Sequence, residues 1–317
     1  MRLTFMKFVA CSLLACAAVA QVAVLGIPRV DLVEFYGLHH VTQLLARQAL
    51  GVSVGDPLPP SKGDAEERLL DIDRVISARL EAVCCEGGKN ILYVGIEERD
   101  APRYEVRAAP GGAQALPEAV LNAFTKLQAD TRGTEFSLAS RTPTAFPALM
   151  DQHLQIAREV LRDSGDEYQR NAAAYVVTYA RNKADIVEDL HEALTDNDAI
   201  VRTTALRGLM ALSQTGVRVS PTWFVPMLQS LAWSDRTQAV WALEMLTRDR
   251  DVVALSRIRG EALDSLIEMT RWQTEQHAYP AFMLVGRVAG MTDLNIRDAW
   301  LRAGRNTVID QALKNAR

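Results

Sequence analysis

The sequence of 317 residues predicts a mostly α fold: an array of helix pairs preceded by a small α+β domain of order strand, helix, helix, strand, strand. Three observations point there. The stretch DAIVRTTALRGLMAL, Asp198 to Leu212, carries a single apolar stripe at helical spacing. Partial copies of it recur along the C-terminal half. Residues 29–99 instead mix short β-rich runs with helical patterns and glycine turns.

In the central stretch Val201, Ala205, Leu209 and Leu212 lie four, four and three residues apart, so they share one helix face, with Arg202 and Arg207 off it. Asp198 precedes the run, where a carboxylate accepts first-turn N–H groups and complements the helix dipole. Ala205 leaves room for a close neighbour. Ala173, Val177 and Ala180 repeat the frame earlier; Ala239, Leu243 and Leu246, then Ala281, Val285 and Val288, repeat it later. The aligned alanines are 32, 34 and 42 residues apart, and the first three follow Arg170, Arg202 and Arg236 by three residues. A second helical pattern follows each copy: Ile186, Leu190 and Leu194; Phe224, Met227, Leu228 and Leu231; Leu263, Leu266 and Ile267; Ile296 and Trp300. Two helices per period of this size read as an α-solenoid.

Asp198-x-x-Val201-Arg202, followed by Ala205 and Leu209 and preceded by LHEALTD, resembles a HEAT repeat. The resemblance covers roughly residues 150–315 and implies an armadillo-like helical array that binds a protein partner. The fourth unit departs from it, with Ala278 in place of the arginine and Pro280 early in the helix, so its register is open; terminal repeats that cap a stack are commonly atypical. The alternative is a non-repetitive helical domain.

Residues 29–99 are read in order. Val30, Leu32, Val33 and Phe35 form a strand before Gly37; Val41, Leu44, Leu45 and Ala49 mark a helix ending at Gly51; Ala65, Leu69, Ile72 and Val75 or Ile76 mark a second. The runs from Ile76 to Cys84 and Ile91 to Ile96 flank Glu86-Gly87-Gly88-Lys89-Asn90 as a hairpin. This order, with VEFYGLHHV, ALGVSVGDPL and YVGIEE, resembles the POTRA domain of bacterial envelope proteins. The resemblance implies polypeptide binding, commonly by strand addition at a sheet edge. The alternative is a small spacer domain with no partner. No outer-membrane barrel pattern follows.

Composition, 49% hydrophobic and 23% charged, is that of a globular chain with room for about two domains. The formal charge is −4 from 35 basic and 39 acidic residues. Without Arg2 and Lys7 the basic count falls to 33 and the balance to −6, which lacks the footprint of a nucleic-acid binder. Arg297, Arg302, Arg305, Lys314 and Arg317 read as a solvated helix face.

Arg2 and Lys7 precede an uncharged run from Phe8 to Pro28. Ala18-Val19-Ala20 before Gln21 fits a signal-peptidase site; the uncut run is long enough to span a bilayer; Leu13-Leu14-Ala15-Cys16 resembles a bacterial lipobox. All three outcomes export the protein, to the periplasm or to an inner-membrane anchor facing it, with membrane contact through residues 1–28 if uncleaved. The alternative is a buried N-terminal core helix. After cleavage only Cys84 and Cys85 remain. Their adjacency makes a bond between them strained, so they read as small hydrophobes, without a disulfide framework.

The expected division is a leader over 1–28, the α+β domain over 29–99, a linker with a short helix over 100–148, and the array over 149–317. The linker reading rests on Pro102, Pro110, Gly111 and Gly112, with a helix marked by Val120, Phe124 and Leu127. Catalytic patterns are near-misses. His191-Glu192 has Thr195 where a zincin needs its second histidine; His39-His40 point apart; Gly87-Gly88-Lys89-Asn90 lacks a phosphate loop's spacing. No catalytic, cofactor or metal residue is assigned. Trp223, Phe224, Trp233, Trp241 and Trp272 are candidate interface residues, with Phe224 and Trp241 assigned to the core. The expected function is a non-enzymatic protein-binding scaffold of the bacterial envelope. The rivals are an enzyme or enzyme subunit with a site at the domain junction, around Asp100 to Pro147, and a purely structural array without a ligand.

Overall fold

Asp198 caps its helix as expected: one carboxylate oxygen accepts the N–H groups of Ile200 at 2.9 Å and Val201 at 3.0 Å. Thr42, Ser61, Asp166, Asp251 and Thr292 cap five other helices in the same way. Replacing Asp198 by alanine should cost about 1 kcal/mol, read from the midpoint of chemical denaturation.

The computed structural model describes residues 27–131 and 145–316, apart from the side chains at 85, 86, 130, 131 and 316. The leader assignments over residues 1–26, with Cys11 and Cys16, and the role of the Cys85 and Arg317 side chains lie outside the described residues. Among the described residues no helix is long and apolar enough to cross a membrane.

The α+β part runs β1 (Leu32–Tyr36), α1 (Gln43–Leu50), α2 (Lys62–Leu70), β2 (Val75–Glu86) and β3 (Lys89–Glu98). The sheet order is β1-β3-β2, with β1 parallel and β2 antiparallel to β3. The hairpin turns at Gly87 and Gly88, both at positive φ, where a side chain would be strained. One sheet face packs Val33, Phe35, Leu80, Leu92, Val94 and Ile96 against Ala46, Leu50, Ala65 and Leu69 of α1 and α2. The apolar face of α1 differs from the expected one. Leu44 and Leu45 are exposed, and Ala46 and Leu50 are buried instead. Thr42 starts the helix by accepting from Leu45, which turns the small Ala46 toward the sheet.

The helical part comprises α3 (Glu118–Thr131), α4 (Ala145–Asp163), α5 (Glu167–Val176), α6 (Ala184–Ala193), α7 (Ala199–Gln214), α8 (Trp233–Leu246), α9 (Val252–Glu261), α10 (Leu263–Thr270), α11 (Glu275–Val288), α12 (Asp293–Leu301) and α13 (Arg305–Ala316). Helices α5, α7, α8 and α11 pack in succession as one row. Their stripe residues Ala173, Ala205, Ala239 and Ala281 are all fully buried. Gly208 of α7 marks a close approach: a Cβ there would sit 2.9 Å from Thr178 Cγ2.

Several local readings are corrected. The first copy stops at Val176, and Val177–Tyr179 form a 3₁₀ turn, so Ala180 lies beyond the helix. The pattern at Phe224, Met227, Leu228 and Leu231 is two 3₁₀ turns, because Pro221 and Pro226 open each turn and proline cannot continue the α-helical bonding. Helix α9 went unpredicted. Conversely α11 runs through Pro280 without interruption. Cys84 is exposed and disulfide-bonded, contrary to the small-hydrophobe reading.

The segment between the two parts is hydrogen-bonded along the array. Tyr104 donates to Leu194 O, Arg107 N donates to Thr195 O, Gly112 N donates to Asp163 O, and Leu116 N donates to Gln169 Oε1. The chain therefore runs back from the docked sheet, past the loop before α7, to the loop before α5.

Candidate interaction surfaces

The recurring arginines organise the edge on which the sheet docks. Arg170 NH1 donates to Ser164 O at 2.9 Å, Arg202 NH1 to Asp196 O at 2.7 Å and Arg236 Nε to Ser230 O at 2.6 Å. Each acceptor lies six residues before its arginine, in the loop that leads into α5, α7 or α8. Each guanidinium then reaches an acid further along the chain: Arg170 to Asp196 at 2.9 Å, Arg202 to Asp235 at 2.6 Å and Arg236 to Glu268 at 3.5 Å. All three arginines are buried, which corrects the expectation that Arg202 points away from the packed face. A helix stripe counts residues by Cα position, whereas a long side chain at the first turn bends along the helix end and satisfies loop carbonyls.

Asp196 is the most heavily used of the three ladder acids. It accepts from Arg170 through both oxygens, from Arg107 of the connecting segment at 2.5 Å, and from Asp198 N. Burial alone would raise its pKa; the bonds from Arg170, Asp198 N and Arg107 outweigh that and lower it.

Toward the C-terminal end of this edge the sheet replaces the ladder. Tyr36, Ile91 and Tyr93, on the face away from α1 and α2, join the core of the array. Tyr36 Oη donates to Leu231 O at 2.7 Å, and Arg236 lies over the Tyr36 ring at 4.7 Å. Tyr93 stacks on Trp233 at 4.9 Å, tilts against Trp272 at 5.0 Å, and its hydroxyl meets His277 Nδ1 at 2.5 Å. Gly95 makes this approach possible, since a Cβ there would be 2.7 Å from Leu231 O and from the Tyr36 ring. Two carboxylates clasp the joint reciprocally. Glu34 of β1 accepts from Gln273 N at 2.7 Å, while Glu268 of α10 accepts from Gly37 N at 2.8 Å and Leu38 N at 3.3 Å. Burial pushes both pKa values up, against the opposing pull of these N–H groups and of Arg47 and Arg236.

Beside the joint opens a cleft of about 540 Å³, lined by Glu34, Phe35 and His39 on the sheet side and Asp264, Glu268 and Arg271 on the array side. It sits between β1 and α10.

A second opening of about 720 Å³ lies across α8, α11 and α12, lined by Trp241, Glu275, Tyr279, Arg297, Trp300 and Leu301. Trp241 is 44% exposed, which overturns its assignment to the core; Phe224 is fully buried, as expected. Helix α8 buries residues around most of its circumference, and Trp241 occupies the side left facing solvent. Trp233 and Trp272 belong to the joint with the sheet, and Trp223 stacks on His191 at 4.2 Å.

The third surface is the edge of the sheet. β2 is a terminal strand of twelve residues. Leu80 N points out of the sheet and donates to Glu66 Oε1 of α2 at 2.7 Å.

The sequence near-misses resolve simply. The N–H groups of His39, His40 and Val41 converge on the buried Glu98 carboxylate, whose pKa is lowered by them although burial opposes the shift. His191 meets Glu188 at 3.2 Å. Among the described residues no group of three or more histidines, cysteines or acids is placed to hold a metal. The arginine ladder, the Glu34 and Glu268 clasp and the aromatic groove had no signature at the sequence level beyond the period of Arg170, Arg202 and Arg236. Compared with protein-family models, curated proteins and solved structures, the chain matches none.

Proposed function

We propose that this chain is a non-enzymatic protein-binding scaffold of the bacterial cell envelope, in which a POTRA-like module is fixed on a HEAT-like array. The HEAT-like reading is supported by the bond, repeated in the first three units, from the arginine to the carbonyl six residues before it. The POTRA-like reading is supported by the β-α-α-β-β order and the mixed sheet with β3 at its centre.

The observation that carries the function is the outer edge of β2. Its outward backbone at Leu80 is met by a side chain, Glu66, and, among the described residues, by no strand. By the period-two alternation of a strand, Ala78 and Ala82 present their backbone groups on the same side. An extended segment of a partner pairs with such an edge through main-chain bonds. A photo-cross-linking amino acid placed at exposed Ala82 should give a discrete polypeptide adduct in cells, and the same probe at exposed Glu67 on α2 should not. Equal labelling at both sites, or none at Ala82, would count against strand addition.

Export through residues 1–28 belongs to the same proposal. N-terminal sequencing of protein from membrane and soluble fractions distinguishes cleavage at Ala20, retention as an anchor, and acylation at Cys16. A second reading, an enzyme or enzyme subunit, is favoured by the cleft beside the joint, where Glu34 and Glu268 both have raised pKa values. A turnover abolished by both Glu34→Gln and Glu268→Gln, with folding retained, would establish it.

A further inference from the structure

The groove across α8, α11 and α12 gathers apolar surface that a solvated helix face does not need. Trp241 is 44% and Leu301 84% exposed, and Tyr279 and Trp300 complete the floor from two further turns. Single exposed apolar residues are ordinary; four from three helices around one opening of about 720 Å³ mark a contact surface. Aromatic side chains of this kind supply most of the affinity at protein interfaces, because they bury a large area with few rotatable bonds.

The charge around it is locally opposite to that of the chain. Arg297 lines the groove. Arg305 is held by the carbonyls of Thr270 and Trp272, so that its guanidinium lies 4.0 Å over the Trp300 ring. Arg302, exposed one turn away, pairs with Asp298 at 2.9 Å. Against these three cations stand Glu275 on the opposite wall, Asp298, and Asp293, whose carboxylate is already taken by Arg250 and Arg287, in a protein of net charge −4. The arginines that read in sequence as a solvated face are thus arranged beside an aromatic floor. Apolar contact supplies affinity there, while a cationic rim selects charge and speeds encounter.

We propose that this groove receives a polypeptide segment that places an apolar anchor beside carboxylates. The inference rests on the protein-binding reading above and specifies its partner's chemistry at a site separate from β2.

The test uses short fluorescently labelled peptides with one central leucine–phenylalanine anchor and flanks of aspartate, alanine or lysine, titrated with the full chain and followed by anisotropy. The aspartate-flanked peptide should bind at least about tenfold tighter than the lysine-flanked one at low salt, with the difference shrinking as salt is added. Trp241→Ala should weaken all peptides about tenfold, and Arg297→Glu should abolish or reverse the preference for aspartate flanks. Both positions are exposed, and an unchanged thermal midpoint verifies that each variant is folded. Indifference to flank charge, tighter binding of lysine flanks, or no binding by any peptide would overturn the proposal. So would a concentration-dependent dimer that Trp241→Ala dissolves, because the groove would then take a second copy of this chain. An adduct at Ala82 together with a groove that binds no peptide would sink this inference alone; peptide binding without an adduct would instead count against strand addition.

Discussion

Replacing Asp196 by alanine is expected to cost about 3–5 kcal/mol of unfolding free energy, the largest loss among the ladder positions. Asp196 is fully buried, and its two oxygens neutralise Arg170, itself 1% exposed, through two bonds of 2.9 Å. The same carboxylate ties the connecting segment down through Arg107 and holds Asp198 N at the entrance to α7. Removing it leaves a buried guanidinium uncompensated and frees the segment that links the sheet to the first unit. Asn at this position keeps an acceptor oxygen and should lose less. Chemical denaturation of the two variants beside the parent measures the difference; a loss under about 1 kcal/mol for alanine would show that water or other groups replace the carboxylate. The pH dependence has a definite sign. The pKa of Asp196 is lower in the folded than in the unfolded chain, so its contribution is present above the ordinary aspartate range and is lost as pH falls through the folded value. The alanine variant should lack this part of the acid sensitivity.

Trp272→Ala should cost a similar amount, about 3–5 kcal/mol, and should also change the form of the unfolding curve. Trp272 is 2% exposed and is shared between Tyr36, at 6.1 Å, and Tyr93, at 5.0 Å. It is therefore packed by the sheet and the array at once. Its loss weakens the joint more than either part, and a single cooperative transition should separate into two, with the sheet core around Val33, Leu80 and Leu92 melting independently of the helices. A single transition with an unchanged midpoint would show that the polar clasp of Glu34 and Glu268 suffices to hold the two parts together.

Much of the architecture was legible because it depends on local, periodic signals. The strand order, both hairpin strands, the caps at Asp198 and the buried alanines of the four copies follow from spacing and turn chemistry that act within a few residues. The misreadings share a cause. Leu44 and Leu45 are assigned inward and Trp241 to the core on apolar character, yet which apolar face is covered depends on the partner element, and all three stay exposed. Arg202 was assigned outward on polar character, yet a buried carboxylate from the next unit receives it. Two prolines were enough to turn a good helical pattern into 3₁₀ turns at Pro221 and Pro226.

By itself the sequence determined that the chain is a mostly helical array behind a small α+β domain, because hydrophobic period and capping are properties of neighbouring residues. Only the tertiary structure decided that the sheet is packed on both faces, that the segment after it is tied along the array, and that Glu34, Glu268, Arg236 and His277 meet at one joint. Those contacts join residues as much as 239 positions apart. Such pairings are fixed by the packing of whole elements, which no window of the sequence contains.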